Sequence, residues 1–106
     1  MAQRIRITTP TLMVMQAIAQ GYDGDVYGLL ISQETGLGTG TVYPILERLE
    51  GAGWVEGRWE SEQPSGRPRR RFLSLTNLGR TQLETALAAR KSRRHMPTWA
   101  GGNAGA

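Results

Sequence analysis

The sequence predicts a mainly α-helical fold with one small β-hairpin. Three observations lead to this fold class. Three segments with apolar residues at helical spacing come first, two β-prone runs then flank a linker rich in Pro, Ser and Gly, and a further helical segment follows. The chain has 106 residues, which suits a single small domain with a single hydrophobic core.

The composition is that of an ordinary globular protein, and it excludes several classes. Hydrophobic residues make up 39% and charged residues 21% of the chain, and no run approaches the roughly 18 to 20 apolar residues of a membrane span. The first ten residues, MAQRIRITTP, lack the apolar block of a signal peptide. The chain has no cysteine, which excludes disulfides and thiolate metal sites. We therefore expect a cytoplasmic protein with no membrane partner and no metal or cofactor.

The charge is unevenly distributed along the chain. The net charge is +4, yet residues 1–57 carry three basic and six acidic side chains, whereas residues 58–106 carry ten basic and three acidic ones. All but one of the thirteen basic residues are arginine, whose planar guanidinium suits phosphates and guanine edges. On charge alone, nucleic-acid binding and a solvated surface with a basic tail are equally good interpretations.

The N-terminal part predicts a short strand and a helix. RIRITT alternates polar and apolar residues, which is typical of a half-buried strand. TPTLMVMQAIAQG follows, with Thr9 as N-cap, Pro10 at the first helical position and Gly21 at the end. The apolar stripe that we expect to face the core consists of Leu12, Met15, Ile18 and Ala19.

Two more helices follow, separated by a short turn that contains glycine. DVYGLLISQETG predicts a helix from the cap Asp25 to Gly36, with apolar positions at Val26, Leu29 and Leu30. After GLG, the segment GTGTVYPILERLEGAG predicts a third helix. Two helices joined by a tight turn form a helix-turn-helix, whose second helix enters the DNA major groove. The buried face of that helix is expected to carry Val42, Ile45, Leu46 and Leu49.

The remaining chain predicts a wing and a long helix. WVEGRWE and RRRFLSLT flank SEQPSGRP, which indicates a two-stranded hairpin with a projecting loop. Thr76 begins the last helix, whose leucine stripe is wider than this small domain can cover alone. The sequence therefore predicts a winged helix-turn-helix domain over residues 1–75, a C-terminal dimerisation helix over 76–95 and a flexible tail over 96–106. The expected dimer contacts are Leu78, Leu83, Ala86 and Leu87.

Two motifs carry a resemblance to a known family. GTVYPILERLEGAGWV resembles the recognition-helix signature of PadR-like transcriptional regulators, and GRPRRRFLSLTNLG is similar to the wing of the same family. The similarity covers residues 12–79, with departures at Leu29, at Leu73 and at the start of the third helix. The resemblance implies a winged-helix transcriptional regulator that dimerises through its last helix. Members can bind flat aromatic ligands at the dimer interface, so it also implies a possible small-molecule effector, although the last helix carries no Trp, Tyr or Phe.

Pro44 lies inside the predicted recognition helix, where a proline usually costs roughly 3 kcal/mol. The helix is expected to begin between residues 38 and 41, so Pro44 falls in its first two turns, where the first N–H groups have no intrahelical partner. Gly40, four residues earlier, has no side chain to clash with the ring. The fixed φ would shape the helix end that enters the groove; the alternative is that Pro44 packs against the wing.

The predicted DNA-contacting residues lie on this helix and on the wing. Each has an alternative role: the threonines can cap the helix, Tyr43 can cover the edge of the core, Arg48 can pair with Glu47 or Glu34, and the wing arginines can form a solvated hairpin face. In a strand, Arg69 and Arg71 would point one way and Arg70 the other. The predicted set is Thr39, Gly40, Thr41, Tyr43, Pro44, Arg48, Arg67, Arg69, Arg70 and Arg71.

Catalytic chemistry is not expected. The single histidine, His95, sits among arginines at a helix end, and the sequence shows no carboxylate pair, nucleophile–base arrangement or phosphate loop. Trp54 is expected to cap the core between the third helix and the sheet. The sequence thus predicts a homodimeric repressor that binds double-stranded DNA and is not an enzyme. The rival function is a winged-helix module for protein–protein interaction, against which the four wing arginines count.

Overall fold

The computed structural model describes residues 5–21, 25–62 and 64–94, and the predicted tail over 96–106 and His95 lie outside them. The helices are α1 (Thr9–Gln20), α2 (Gly28–Thr35), α3 (Thr39–Gly51) and α4 (Asn77–Arg94). The strands are β1 (Val26–Tyr27), β2 (Val55–Trp59) and β3 (Arg71–Leu75). They form an antiparallel sheet in the order β1-β3-β2. The predicted fold class, mainly α with a small β-hairpin, is confirmed.

The start of α1 differs from the prediction by one residue. Thr8 is the N-cap, and its Oγ1 accepts a hydrogen bond from the backbone N–H of Thr11. Pro10 therefore occupies the second helical position, where its missing N–H is still one of the unpaired donors of the first turn. Ile5 and Ile7 are half-buried against the core, but residues 5–8 form no strand. The alternation correctly indicated a half-buried segment, whereas a strand also needs a neighbouring strand to pair with.

The helix predicted from Asp25 begins later. Val26 and Tyr27 instead form β1, paired with Leu73 and Phe72 of β3, and Tyr27 is the N-cap of α2 without a side-chain hydrogen bond. The predicted two-stranded hairpin thus becomes a three-stranded sheet. Leu29, predicted as an apolar core position, is 48% exposed. Gly36 ends α2 as predicted, at a left-handed φ of 78° that favours glycine.

The core lies between the helices and the inner face of the sheet. The predicted burial of Val42, Ile45, Leu46 and Leu49 on α3 is confirmed, and Trp54 is buried between α3 and the sheet. Among the described helices, none combines the length and the hydropathy that crossing a bilayer requires. The buried apolar residues are Leu12, Val14, Met15, Ile18, Val26, Ile31, Val42, Ile45, Leu46, Leu49, Trp54, Val55, Leu73, Leu75 and Leu83.

Helix α4 begins directly after Thr76, the residue predicted to start it, at a tight junction with the sheet. Thr76 Oγ1 accepts a hydrogen bond from the N–H of Gly79 at 3.1 Å and donates one to the carbonyl of Gly53 at 2.6 Å. Gly79 is buried against the backbone of Trp54, whose carbonyl carbon would lie 2.9 Å from a Cβ at this position. A glycine is therefore needed for α4 to approach the sheet this closely.

Candidate nucleic-acid interface

The outer side of α3 presents the polar residues that the sequence predicted. The helix has Gly38 as N-cap, so it starts within the expected interval. Its apolar stripe faces the core, and the rest of its N-terminal half is open to solvent. The exposed residues on α3 include Thr39, Gly40, Thr41, Tyr43, Pro44, Glu47 and Arg48.

Pro44 is the sixth residue of α3, and the helix continues through it. The first hydrogen bond that spans four residues runs from the N–H of Val42 to the carbonyl of Gly38 at 3.0 Å, so Pro44 removes a single later bond, the one to Gly40. The Cβ position of Gly40 faces open space. The ring of Pro44 is exposed and is not among the residues that line the groove beside the wing, which argues against packing between the proline and the wing.

Tyr43 joins α3 to the first turn of α2. A Cβ on Gly28 would lie 2.6 Å from Cε1 of the Tyr43 ring, so the ring rests on the glycine backbone. The side chain is 49% exposed. Tyr43 therefore covers the junction between α2 and α3, while about half of its side chain remains open to solvent.

Arg48 is exposed on α3, and the ion pairs found within the described residues do not include it. The alternative in which Glu47 or Glu34 occupies its guanidinium is thus not observed. An exposed guanidinium in this position is able to contact a phosphate.

The wing is the loop 60–70 together with the ends of β2 and β3, and Glu60 closes it. The N–H of Glu60 donates to the carbonyl of Arg70 at 2.8 Å, and the N–H of Arg70 donates to Glu60 Oε1 at 3.2 Å. The guanidinium of Arg67 donates to both carboxylate oxygens of Glu60, at 2.9 and 3.1 Å. The hydrogen bonds from Arg67 lower the pKa of Glu60, against the opposing effect of desolvation, and the N–H of Arg70 adds to the lowering.

The wing arginines have different surroundings, which the sequence did not predict. Arg70 lies with its Cζ 4.1 Å from the ring centroid of Tyr27, and Arg71 donates a hydrogen bond to Glu50 on α3. Arg69 is exposed and takes part in no ion pair within the described residues. Since β3 begins at Arg71, the alternation expected for a strand does not extend to Arg69 and Arg70.

An open groove of about 620 Å³ lies between α3, the first turn of α2 and the wing. Leu29, Tyr43 and Trp59 line it, and they are three of the five large apolar side chains exposed among the described residues. Three of these five side chains therefore lie together beside α3. Arginines 67, 69, 70 and 71 and the carboxylates of Glu47 and Glu50 form its polar rim.

The other exposed apolar side chains lie on α4. The sequence predicted one leucine stripe on this helix that the domain leaves uncovered, and that argument is wrong. Leu83 is only 6% exposed and belongs to the core of its own domain, and Ala86 packs against that core. Leu78 and Leu87 are 46% and 36% exposed. They are nine positions apart, which at 3.6 residues per turn places them on opposite edges of the buried side. The four residues therefore do not form one free stripe.

A family model for PadR-like transcriptional regulators matches residues 17–85. The chain belongs to the PadR-like family. The match includes α2, α3, the wing and the first half of α4, so the two motifs quoted from the sequence lie inside it. PadR-like proteins are transcription regulators and not enzymes, as the sequence predicted.

Solved structures share this PadR-like fold. A PadR family transcription regulator from Clostridium difficile is 25% identical with a TM-score of 0.71, over 82% of this chain and 92% of that one. A Streptococcus mutans protein is 26% identical with a TM-score of 0.65, over 87% of each chain. Bacillus subtilis PadR, solved in complex with operator DNA, is 17% identical with a TM-score of 0.66, over 87% of this chain and 51% of that one. No curated protein matches the sequence significantly.

Proposed function

We propose that the protein is a sequence-specific DNA-binding repressor that acts in the cytoplasm as a homodimer. The observation that carries the proposal is the exposed outer side of α3, which presents Thr39, Thr41 and Arg48 beside an arginine-bearing wing. Hydroxyl and guanidinium groups in this position are suited to phosphates and base edges. The structure of Bacillus subtilis PadR with operator DNA adds support through the shared fold.

The contacts that each arginine makes within the chain indicate which arginines can bind phosphate. Arg67, Arg70 and Arg71 are engaged by Glu60, Tyr27 and Glu50 in their own chain. Arg48 and Arg69 are exposed, and we assign the main phosphate contacts to these two. The helix end that enters the major groove carries Thr39, Gly40, Thr41, Tyr43 and Pro44.

We place the dimer contact on the C-terminal half of α4, within residues 76–95. Leu87 is exposed there, next to the exposed Ala88 and Ala89. We no longer include Leu83 among the proposed dimer contacts, because the core of its own domain buries it. Leu78 lies on the opposite edge of the helix. Two domains joined in this way would present their α3 helices to successive major grooves, about 34 Å apart.

DNA binding is tested by selecting bound sequences from random DNA and measuring their affinity by fluorescence anisotropy over a range of salt concentrations. We expect an affinity that falls steeply with salt, as phosphate contacts require, and a weaker affinity for Arg48→Ala. The rival function, a winged helix for protein–protein interaction, predicts that no DNA sequence is enriched. A reporter gene placed behind the selected site then distinguishes repression from activation.

The dimer is tested with Leu87→Glu, for which Leu78→Glu is the matched control. Sedimentation velocity should show a monomer for Leu87→Glu and a dimer for Leu78→Glu, with the helical circular dichroism signal retained in both. The monomer should bind a palindromic site about 100-fold more weakly, because it engages a single half-site. A Leu87→Glu protein that still sediments as a dimer contradicts the assignment.

A further inference from the structure

Arg71 lies between the recognition helix and the wing, with its guanidinium held on three sides. The group donates a hydrogen bond to Glu50 on α3 and lies 5.6 Å from the ring centroid of Trp59. The side chain of Arg71 crosses β2 at Gly57. A Cβ at position 57 would lie 2.7 Å from Arg71 Cζ. A side chain at this point of β2 would therefore require the guanidinium of Arg71 to shift.

This contact spans the groove between α3 and the wing. The groove separates the far end of the hairpin from the helix, and Arg71–Glu50 is the ion pair that joins α3 to the wing within the described residues. At its base, the hairpin is joined to α3 by the short connection that leads into β2 and by the core that Val55, Leu73 and Leu75 share with that helix. Arg71–Glu50 thus adds a direct charged contact between α3 and the wing to the apolar packing at the base of the hairpin.

We propose that Arg71 and Glu50 form a strut, seated on Gly57, that fixes the wing relative to the recognition helix. In this assignment, which rests on the proposed DNA-binding function, Arg71 is a positioning residue and not a phosphate ligand. A wing held at a fixed angle meets the DNA backbone without first losing conformational freedom, and this pre-organisation strengthens binding.

Whether removing Glu50 strengthens or weakens DNA binding distinguishes this role from simple electrostatics. Glu50 is an acidic residue on the proposed DNA-facing side, so electrostatics alone predicts that its removal strengthens DNA binding. The strut predicts the opposite result. Glu47 is the matched control, because it lies on the same helix, lines the same groove and forms no ion pair within the described residues.

The first experiment measures DNA affinity of the full chain by fluorescence anisotropy. Glu50→Gln should weaken binding by about five-fold, the scale expected for one such ion pair, while Glu47→Gln should strengthen it. Gly57→Ala changes no charge but displaces the guanidinium, so it should weaken binding like Glu50→Gln. Tighter binding by Glu50→Gln would overturn the proposal.

The second experiment observes the wing without DNA. Because the chain has no cysteine, spin labels can be attached to Ser65→Cys in the wing loop and Gln33→Cys on α2, both exposed. Labelled protein is diluted with excess unlabelled protein, so that distances within one protomer are measured. We expect a narrow distance distribution that broadens in Glu50→Gln and in Gly57→Ala.

The reversed pair, Glu50→Arg with Arg71→Glu, should restore the narrow distribution. A distribution that stays narrow in Glu50→Gln refutes the strut whatever the DNA result. Conversely, a protein that binds no DNA but shows the expected broadening refutes the proposed function and leaves the strut in place, so the two failures are distinguishable.

Discussion

Gly79→Ala tests the close approach of α4 to the backbone of Trp54. The added methyl group would overlap the carbonyl oxygen of Trp54 and lie 2.9 Å from its carbonyl carbon. That carbonyl cannot turn away freely, because it accepts a hydrogen bond from the N–H of Thr76 at 3.0 Å. Helix α4 must therefore move relative to the sheet, which also disturbs Leu83 in the core.

The magnitude follows from two opposing effects. Overpacking of this kind costs about 1 to 3 kcal/mol, and a rigid backbone neighbour places Gly79→Ala at the upper end. Replacing glycine by alanine inside a helix returns about 1 kcal/mol, which leaves a net loss of about 2 kcal/mol. For a domain of this size, that lowers Tm by about 8 to 16 °C.

Gly40→Ala is the control, because it is also a helical glycine but its Cβ position faces open space. It should raise the free energy of unfolding by up to about 1 kcal/mol through helix propensity alone. Both variants are compared with the parent by thermal and urea denaturation at equal protein concentration, since dimerisation makes Tm depend on concentration. If Gly79→Ala melts no lower than the parent, the packing of α4 against Trp54 is not as described.

Two further predictions concern the wing. Arg69→Ala should weaken binding to all DNA sequences alike and reduce the salt slope by about 0.9 for each phosphate that the variant no longer neutralises; a change in sequence preference with an unchanged slope would contradict its role. The pKa of Glu60 is lowered from its ordinary 4.5 in the folded state, so its contribution to stability is present above pH 4.5 and is lost as the pH falls through the folded-state pKa. The difference in the free energy of unfolding between the parent and Glu60→Gln should shrink as the pH is lowered from 6 in urea denaturation, and a difference that does not change with pH would count against this ion pair.

Local patterns were sufficient for most of the architecture. Helix α3 was predicted from its periodic stripe, with a start between residues 38 and 41, and α4 from Thr76, because caps and periodicity are properties of neighbouring residues. Trp54 was correctly placed in the core for the same reason. The recognition signature around Pro44 then predicted the family to which the chain belongs.

Features that depend on distant residues were not predictable in this way. β1 has only two residues, and its pairing with β3 exists because the fold brings Val26 beside Leu73. The partners of the wing arginines were missed for the same reason, since Glu50 lies 21 positions from Arg71. On α4, periodicity indicated which residues are apolar but could not tell that Leu83 faces its own core while Leu87 does not.

The position of β3 in the middle of the sheet affects when the chain can fold during its synthesis. Its partners include β1, near the start of the domain, and its residues Leu73 and Leu75 complete the core against α1. During synthesis, the first three helices therefore emerge well before the strand that covers them. We expect a chain truncated ahead of β3 to yield not a smaller domain but an unfolded segment prone to aggregation, because its apolar surface stays uncovered.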